Sequence, residues 1–370
     1  MMESKATGVP QQVRVRLGER SYDIVIGGGL LSQAADYLLP LKLGMHGVVI
    51  TDTNVEPRYA GVLRETLGKR GITVQVLSVP AGEASKSLRQ VDRLFEKLPS
   101  LGLDRQSFVI ALGGGVVGDL AGFVAATYLR GIALVQMPTS LLAQVDSSVG
   151  GKVGVNLPQG KNLVGSFYQP RLVLADTDTL STLPNRELRS GFAEVIKHGA
   201  IRDAEFFEWL ERDYKKVLAL DPKAVARAVR RCCEIKAEVV SADEREAGLR
   251  AILNFGHTLG HAMEALSEYV GVLHGEGISM GMCCGVRLSM KRAGLSEAEA
   301  GRVRDLIEAS GLPTRLGTNF KLEDLLAAAR LDKKARNGKL RFVLLKHLGE
   351  AMVSDAVTDA DFVEAVNVCR

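Results

Sequence analysis

The chain lacks the cysteine spacing of a zinc knuckle or a redox motif. Its five cysteines are two adjacent pairs, Cys232 with Cys233 and Cys283 with Cys284, and Cys369 near the end. Adjacent thiols in apolar helical stretches read as reduced residues of a cytosolic protein, not as a disulfide framework. No apolar run reaches the roughly 20 residues that a membrane-spanning helix needs. The most apolar stretch, residues 108–126, is broken by Gly113, Gly114, Gly115 and Asp119. Residues 1–12 are polar and hold no apolar core of a signal peptide. Net charge is also small. Against 43 acidic residues stand 47 basic ones, formally +4, which is too even for whole-surface attraction to nucleic acid or membrane. A local basic pocket stays compatible with that balance. No internal repeat or low-complexity segment is visible. Together these absences predict a soluble, cytoplasmic protein whose partners are small molecules.

What is present is globular. Hydrophobic residues make up 46% and charged residues 24% of 370, which excludes disorder and lets the chain bury a large core. At roughly 150 residues per domain, two domains are expected. Residues 13–17 and 22–26 read as a hairpin, and 48–51, 73–79, 107–112 and 134–138 as further strands. Helical stretches separate these strands; Pro57 starts one that Gly71 closes, and residues 87–98 form another. This alternation predicts an α/β, doubly wound, mostly parallel Rossmann-like sheet over residues 1–185. Beyond Pro184 the pattern turns helical, at 186–199, 204–219, 222–242, 253–269, 276–293 and 297–310. An all-helical second domain is therefore expected over 186–370, with the active site in the cleft between the two.

Three loops at strand ends carry candidate nucleotide contacts. Gly113, Gly114, Gly115, Val116, Val117, Gly118 and Asp119 run from strand through a glycine turn into a helix start. There the backbone can approach a phosphate and the helix offers free N–H donors. The G-x-G-x-x-G match is weak by itself, since a tight turn needs glycine anyway. Asp119 could meet cofactor hydroxyls or cap the helix. Gly82, Glu83 and Lys86 follow a second strand, and Asp52 and Asn54 a third.

Three of the six histidines, His257, His261 and His274, fall within 18 positions. His257 and His261 stand at i and i+4 on one helix face, a spacing that suits a divalent transition metal. Glu194 is a carboxylate on an otherwise apolar helix, so it needs a metal or a basic partner. Spacing alone leaves open which histidines bind metal. His46 and His347 lie apart and read as structural. Arg130, Lys152, Lys161, Asn162, Lys197, Lys236 and Arg250 sit in unusual contexts, several beside glycines. Any one of them could be solvated surface charge; convergence on a small anion would make a phosphate and carboxylate clamp.

Taken together, these motifs resemble the 3-dehydroquinate synthase family. The resemblance runs over residues 13–349. It is carried by Gly82, Glu83 and Lys86; Gly113 to Asp119; Pro138, Thr139 and Ser140; Asp146 to Lys152; and Gly160, Lys161 and Asn162. It continues through Glu194 to Lys197, Asn254 to His261, and His274, Gly275 and Glu276. It implies an enzyme of the shikimate route to aromatic compounds. That enzyme acts on 3-deoxy-D-arabino-heptulosonate 7-phosphate, with NAD⁺ recycled within each turnover and one divalent metal, zinc or cobalt. The implied metal ligands are Glu194, His257 and His274, which leaves His261 to substrate and proton handling. Implied NAD contacts are Asp52, Asn54, Glu83, Lys86, Gly114, Gly115, Val116, Val117, Gly118, Asp119, Thr139, Ser140, Lys152, Lys161, Thr179, Leu180, Ser181 and Thr182. Implied substrate contacts are Arg130, Asp146, Lys152, Asn162, Lys197, Lys236, Arg250 and Asn254. Glu246 matches a proton acceptor and, by a looser alignment, Arg341 a further basic contact. Ser190 departs from an asparagine that some members, notably fungal ones, carry there. A homodimer is implied as well. The alternatives are a related sugar phosphate cyclase with a valiolone- or inosose-type product, a metal-dependent polyol dehydrogenase of the same broad fold, or a non-catalytic nucleotide or metal sensor.

Overall fold

The computed structural model describes residues 9–267, 271–317, 320–331 and 341–370. The expected helix end at Tyr269, and Gly338, Lys339 and Leu340 of the Arg341 segment, lie outside the described residues. The chain divides into two units: residues 1–183 with 225–244, and residues 184–224 with 245–370. The division near 184 has one feature the linear reading did not contain. The helix segment 225–244, expected in the second domain, groups with the first unit.

The first unit is built on strands β1 (Gln11–Val15), β2 (Tyr22–Gly27), β3 (His46–Asp52), β4 (Thr73–Val79), β5 (Phe108–Gly113) and β6 (Ala133–Pro138). Two further strands, β7 (Lys152–Leu157) and β8 (Gly160–Phe167), precede β9 (Leu172–Asp176). Its helices are α1 (Ala34–Leu38), α2 (Gly61–Gly68), α3 (Leu88–Lys97) and α4 (Gly115–Thr127). Seven strands form one sheet in the order β1-β2-β9-β6-β5-β3-β4, parallel throughout except for the β1–β2 hairpin. Side chains alternate across it with the period of two that a pleated strand imposes. Val49, Ile110 and Leu112 face the core under α1 and α2, while Val48, Ile50, Val109 and Ala111 face that under α3 and α4. The order reverses at β3, which lies between β4 and β5. The crevice beyond the carboxyl ends of β3 and β5 is therefore the switch point at which such sheets bind ligands. β7 and β8 form a separate antiparallel hairpin that the sequence reading did not contain.

The second unit holds α5 (Asn185–Arg202) and α6 (Ala204–Leu218). Helix α7 (Pro222–Ala242) begins in this unit and continues in the first. The second unit then contains α8 (His257–Leu266), α9 (His274–Arg292), α10 (Glu297–Ala309), α11 (Leu322–Leu331) and α12 (Asp359–Val368). It is mainly helical but adds one hairpin, β10 (Phe342–His347) with β11 (Glu350–Ser354). The helix expected over 253–269 starts at His257, because a 3-10 turn over Leu249–Asn254 and a left-handed Gly256 at φ +80° precede it. Among the described residues no helix is long and apolar enough to cross a membrane. All five cysteines are free and buried. Burial pushes the Cys233 and Cys283 thiols up to about 12, as inert reduced residues require.

Asp361 anchors the last helix. Its carboxylate, on a residue 3% exposed, accepts from Thr358 N and Oγ1 at 2.9 and 2.8 Å and from Arg292 Nε at 2.9 Å. Burial alone would raise this carboxyl; the bonds from Thr358, Lys291 and Arg292 outweigh it and hold the group far below its usual range. A carboxyl depressed in the fold contributes stability above its unfolded value near 4 and loses it as pH falls below. Asp361→Ala should cost about 2 kcal/mol at neutral pH and almost nothing in strong acid. Urea unfolding at the two pH values checks this, and an equal loss at both would contradict it.

Candidate functional site

In the first unit the predicted cofactor residues gather at the carboxyl edge of the parallel sheet. Asp52 ends β3, and its Oδ1 accepts from Asn54 N at 2.8 Å and Val55 N at 3.1 Å, tying that loop into an Asx turn. Gly113 ends β5, and α4 starts from Gly114 with no side-chain cap. Its first-turn N–H groups are thus left for a ligand. Space favours glycine there. A Cβ on Gly115 would stand 3.0 Å from Ser147 Oγ, and one on Gly113 would stand 2.7 Å from Val117. Thr139, after β6, donates its backbone N–H to Gly113 O at 2.9 Å. After β9, Tyr59 OH meets Thr179 O at 3.2 Å and Thr182 Oγ1 at 2.6 Å. Leu180 beside them is buried, and Ser181 folds its hydroxyl onto Asp178 O at 2.6 Å.

Asp119 lies inside α4 and does not cap it; it pairs with Lys86, a lysine 6% exposed. Burial raises the Asp119 carboxyl and the Lys86 ammonium opposes that rise. Glu83 Oε1 accepts from Asn156 Nδ2 at 2.8 Å and lies 3.6 Å from Lys161 Nζ. Asn156 Oδ1 in turn accepts from the backbone of Asn162 at 2.9 Å. The β7–β8 hairpin thereby joins the Glu83–Lys86 loop through Asn156, a residue that only its place between two predicted motifs could have flagged. Lys236 on α7 donates to both Asp146 O and Oδ1 at 2.7 Å. Lys152 opens β7 and is exposed, as is Arg130 at the far end of α4. Gly114, Val116, Gly118 and Ser140 are half-buried, while Val117 points into the core. The unit thus sets the loops after β3, β4, β5, β6 and β9 at one edge of the sheet, with the Lys86–Asp119, Lys161–Glu83 and Lys236–Asp146 pairs among its predicted site residues.

The second unit holds Glu194, Lys197, Glu246, Arg250, Asn254, His257, His261 and His274, with Arg341 just before β10. Glu194 is 0% and Lys197 1% exposed, and the two pair across one turn of α5. Glu194 Oε1 also lies 3.7 Å from His257 Nε2 and 3.5 Å from His274 Nε2. One ligand atom from each of Glu194, His257 and His274 can be chosen so that all lie within 4.8 Å of one another. Tetrahedral zinc with bonds of about 2.0–2.1 Å separates its ligand atoms by roughly 3.4 Å, so the spacing fits a metal. The ring orientations fit as well. His257 Nδ1 faces Phe255 O at 3.1 Å and His274 Nδ1 faces Glu264 Oε1 at 3.2 Å, so each ring turns Nε2 toward Glu194.

Electrostatics agree. Burial, then Lys197, lowers the His257 value, so the ring is neutral and ready to ligate. Burial also works against a charge on His274, yet hydrogen bonds to Glu194 and Glu264 raise it to about 10. Two carboxylates on either side of one imidazole favour positive charge at this point, whether a proton on the ring or a metal in its place. Three such ligands would leave a fourth position open, as in catalytic zinc sites. His261 stands outside this set, its ring edge-on to His257 with centroids 5.2 Å apart.

Glycines bring these residues together. Gly281 on α9 passes Gly256, and Gly260 on α8 passes Gly277; a Cβ on Gly281 would stand 1.9 Å from Gly256 O. Ser190 Oγ accepts from Gly275 N at 2.9 Å and fixes the first turn of α9 beside His274. Gly281→Ala should force the helices about 1 Å or more apart, cost about 3 kcal/mol and empty the metal site. Thermal unfolding and zinc content check this, and full zinc retention would contradict it. Asn254 Nδ2 donates to Glu246 Oε1 at 2.8 Å, and Arg250 between them is 2% exposed.

Three predicted site residues hold positive φ without being glycine: Arg130 at 67°, Asn162 at 55° and Glu246 at 58°. Lys42, Leu129 and Leu220, which have no predicted site role, share that conformation, so it does not by itself mark the site.

A family model described as 3-dehydroquinate synthase N-terminal matches residues 76–190, and one described as 3-dehydroquinate synthase C-terminal matches 191–335. A 3-dehydroquinate synthase from Desulforamulus reducens is 50% identical over 355 residues, 96% of this chain and 99% of that one. Among solved structures, a 2-epi-5-epi-valiolone synthase from Streptomyces hygroscopicus with NAD⁺ and Zn²⁺ bound is 30% identical. It aligns with a TM-score of 0.88 over 96% of this chain and 98% of its own. A 2-deoxy-scyllo-inosose synthase complexed with carbaglucose-6-phosphate, NAD⁺ and Co²⁺ is 28% identical, with a TM-score of 0.89 over 97% and 100%. Sequence identity falls by nearly half from the dehydroquinate enzyme to these cyclases of other products, and the two family models meet end to end across both units: the chain belongs to the 3-dehydroquinate synthase family.

Proposed function

We propose that this chain is a carbon–oxygen lyase that converts 3-deoxy-D-arabino-heptulosonate 7-phosphate to 3-dehydroquinate and inorganic phosphate. The sequence of steps is oxidation at C5, β-elimination of phosphate, reduction at C5, ring opening and intramolecular aldol closure. The observation that carries the reading is 50% identity to a 3-dehydroquinate synthase along nearly the whole of both chains.

Glu194, His257 and His274 would hold the divalent metal, zinc or cobalt, and the loops after β3, β4, β5, β6 and β9 would hold NAD. When bound, NAD⁺ would supply a hydride acceptor and donor for C5, and the metal would supply a Lewis acid for the C5 oxygen. The chain's own residues bind and position. A substrate with one carboxylate and one phosphate needs several cations, which Arg130, Lys152, Lys197, Lys236 and Arg250 supply, with Asn162 and Asn254 as amide donors. Lys197, Lys236 and Arg250 are nearly sealed from water, so a substrate anion meets them at low dielectric. Asp146 fixes the Lys236 ammonium, and Glu246 orients the Asn254 amide. His261 and Glu246 move protons at the substrate oxygens. The proton beside the new ketone can pass to the departing phosphate itself, so these residues need to hold geometry more than to supply a strong base. The same reading makes the protein a cytoplasmic homodimer.

The experiment offers the purified enzyme three substrates: the heptulosonate phosphate and the sugar phosphates used by valiolone- and inosose-forming cyclases. Phosphate release from the first alone supports the reading. Release from either of the others alone makes the chain a related cyclase instead.

A further inference from the structure

We infer that Glu264 is the positioning residue of the metal centre, the carboxylate that fixes the ring of His274. This rests on the reading of Glu194, His257 and His274 as metal ligands. Glu264 lies on α8, three residues after His261 and seven after His257, so it shares their helix face. It is 4% exposed, and its Oε1 stands 3.2 Å from His274 Nδ1. Nε2 of the same ring stands 3.5 Å from Glu194 Oε1. The imidazole is thus held between two carboxylates, one at each nitrogen. A histidine that ligates through one nitrogen donates its other N–H to an acceptor, which fixes tautomer and ring plane and raises the basicity of the ligating nitrogen.

The placement is rigid. The glycine crossing of α8 and α9 sets the height of Glu264 against His274, and Ser190 pins the start of α9 at Gly275. A competing geometry exists, because His261, Glu264 and His274 also offer atoms within 4.8 Å of one another. A cation there would need the Nδ1 lone pair of His274 while Nε2 serves the Glu194 set. A neutral imidazole has one lone pair to give, so Glu264 acts through His274 instead of binding an ion itself.

The test titrates metal-free, full-length protein with zinc against a competing chromogenic chelator, and records the visible spectrum of the cobalt-loaded form. Glu264→Gln keeps the shape and removes the charge. The expected result is one zinc equivalent in both proteins, with affinity about 10–100-fold weaker in the variant. The cobalt bands should shift, and the far-ultraviolet circular dichroism should be unchanged. An affinity within about threefold of the parent would overturn the inference. So would two equivalents in the parent and one in the variant, since Glu264 would then be a ligand. Should Glu264→Gln fail to fold, Glu264→Asp, which withdraws the oxygen but keeps the charge, is read by the same thresholds. His257→Ala separates the two levels. If it keeps zinc, the metal-centre reading itself fails; if it loses zinc while Glu264→Gln keeps it, only the role of Glu264 fails.

Discussion

His257→Ala protein will purify with its zinc lost, whereas His261→Ala protein will keep it. The two histidines are one helical turn apart and look equivalent in the sequence. In the structure His257 Nε2 joins the Glu194 set while Phe255 O holds its other nitrogen. His261 lies outside that set. Structural zinc sites spread roughly 10–16 kcal/mol over their ligands; by that measure, losing one ligand here should cost about 3–5 kcal/mol, two to four decades in affinity. His261→Ala should instead lower turnover by about 10²–10⁴, the range of a lost proton-handling group, with metal in place. Zinc content by atomic emission and steady-state kinetics on the same preparations read both effects. Equal zinc loss in both variants would show that the ligands are wrongly assigned.

Lys197→Ala should lower kcat/KM by about 10³, near 4 kcal/mol, with zinc retained. Lys197 is almost wholly buried beside Glu194, three residues away on α5. If its only role were to neutralise Glu194, a bound metal would take over that role and turnover would change little. If it meets the substrate anion in a dry site, the whole interaction is lost. Kinetics on zinc-replete protein separate the two, and a fall of less than about tenfold would sink the substrate role. The variant could also lose stability, because removing one partner of a buried pair typically costs about 3–5 kcal/mol. Unfolding measured with and without zinc shows how much of that cost the metal offsets.

Much of the first unit was legible because period-two burial and glycine turns are local. Val48 to Ile50 and Val109 to Ala111 announce their strands through β-branched runs, and Gly113 to Gly118 announces the turn between β5 and α4 by spacing. The β7–β8 hairpin was not legible. Residues 147–165 carry five glycines, which read as a loop reaching toward a ligand. Their need is close backbone approach, since a Cβ on Gly165 would stand 2.3 Å from Val153 O. Helix α7 was legible as a helix over 222–242, but which unit it packs with is decided by contacts such as Lys236 with Asp146, far apart in sequence. In the site, Glu194 was visible as a carboxylate on an apolar helix. Its role needed His274 brought alongside it by the α8–α9 glycine crossing. Glu264 gave no signal by composition; its spacing from His257 and His261 was the available clue.

On the proposed reaction the cofactor is recycled within each turnover. The direct measurement mixes enzyme, zinc, heptulosonate phosphate and NAD⁺ far below substrate, then follows phosphate, dehydroquinate and NADH absorbance together. Phosphate and dehydroquinate should form in equal amounts, many per NAD⁺ present, with no lasting rise in NADH. NADH accumulating in step with substrate consumed, and no phosphate released, would contradict it.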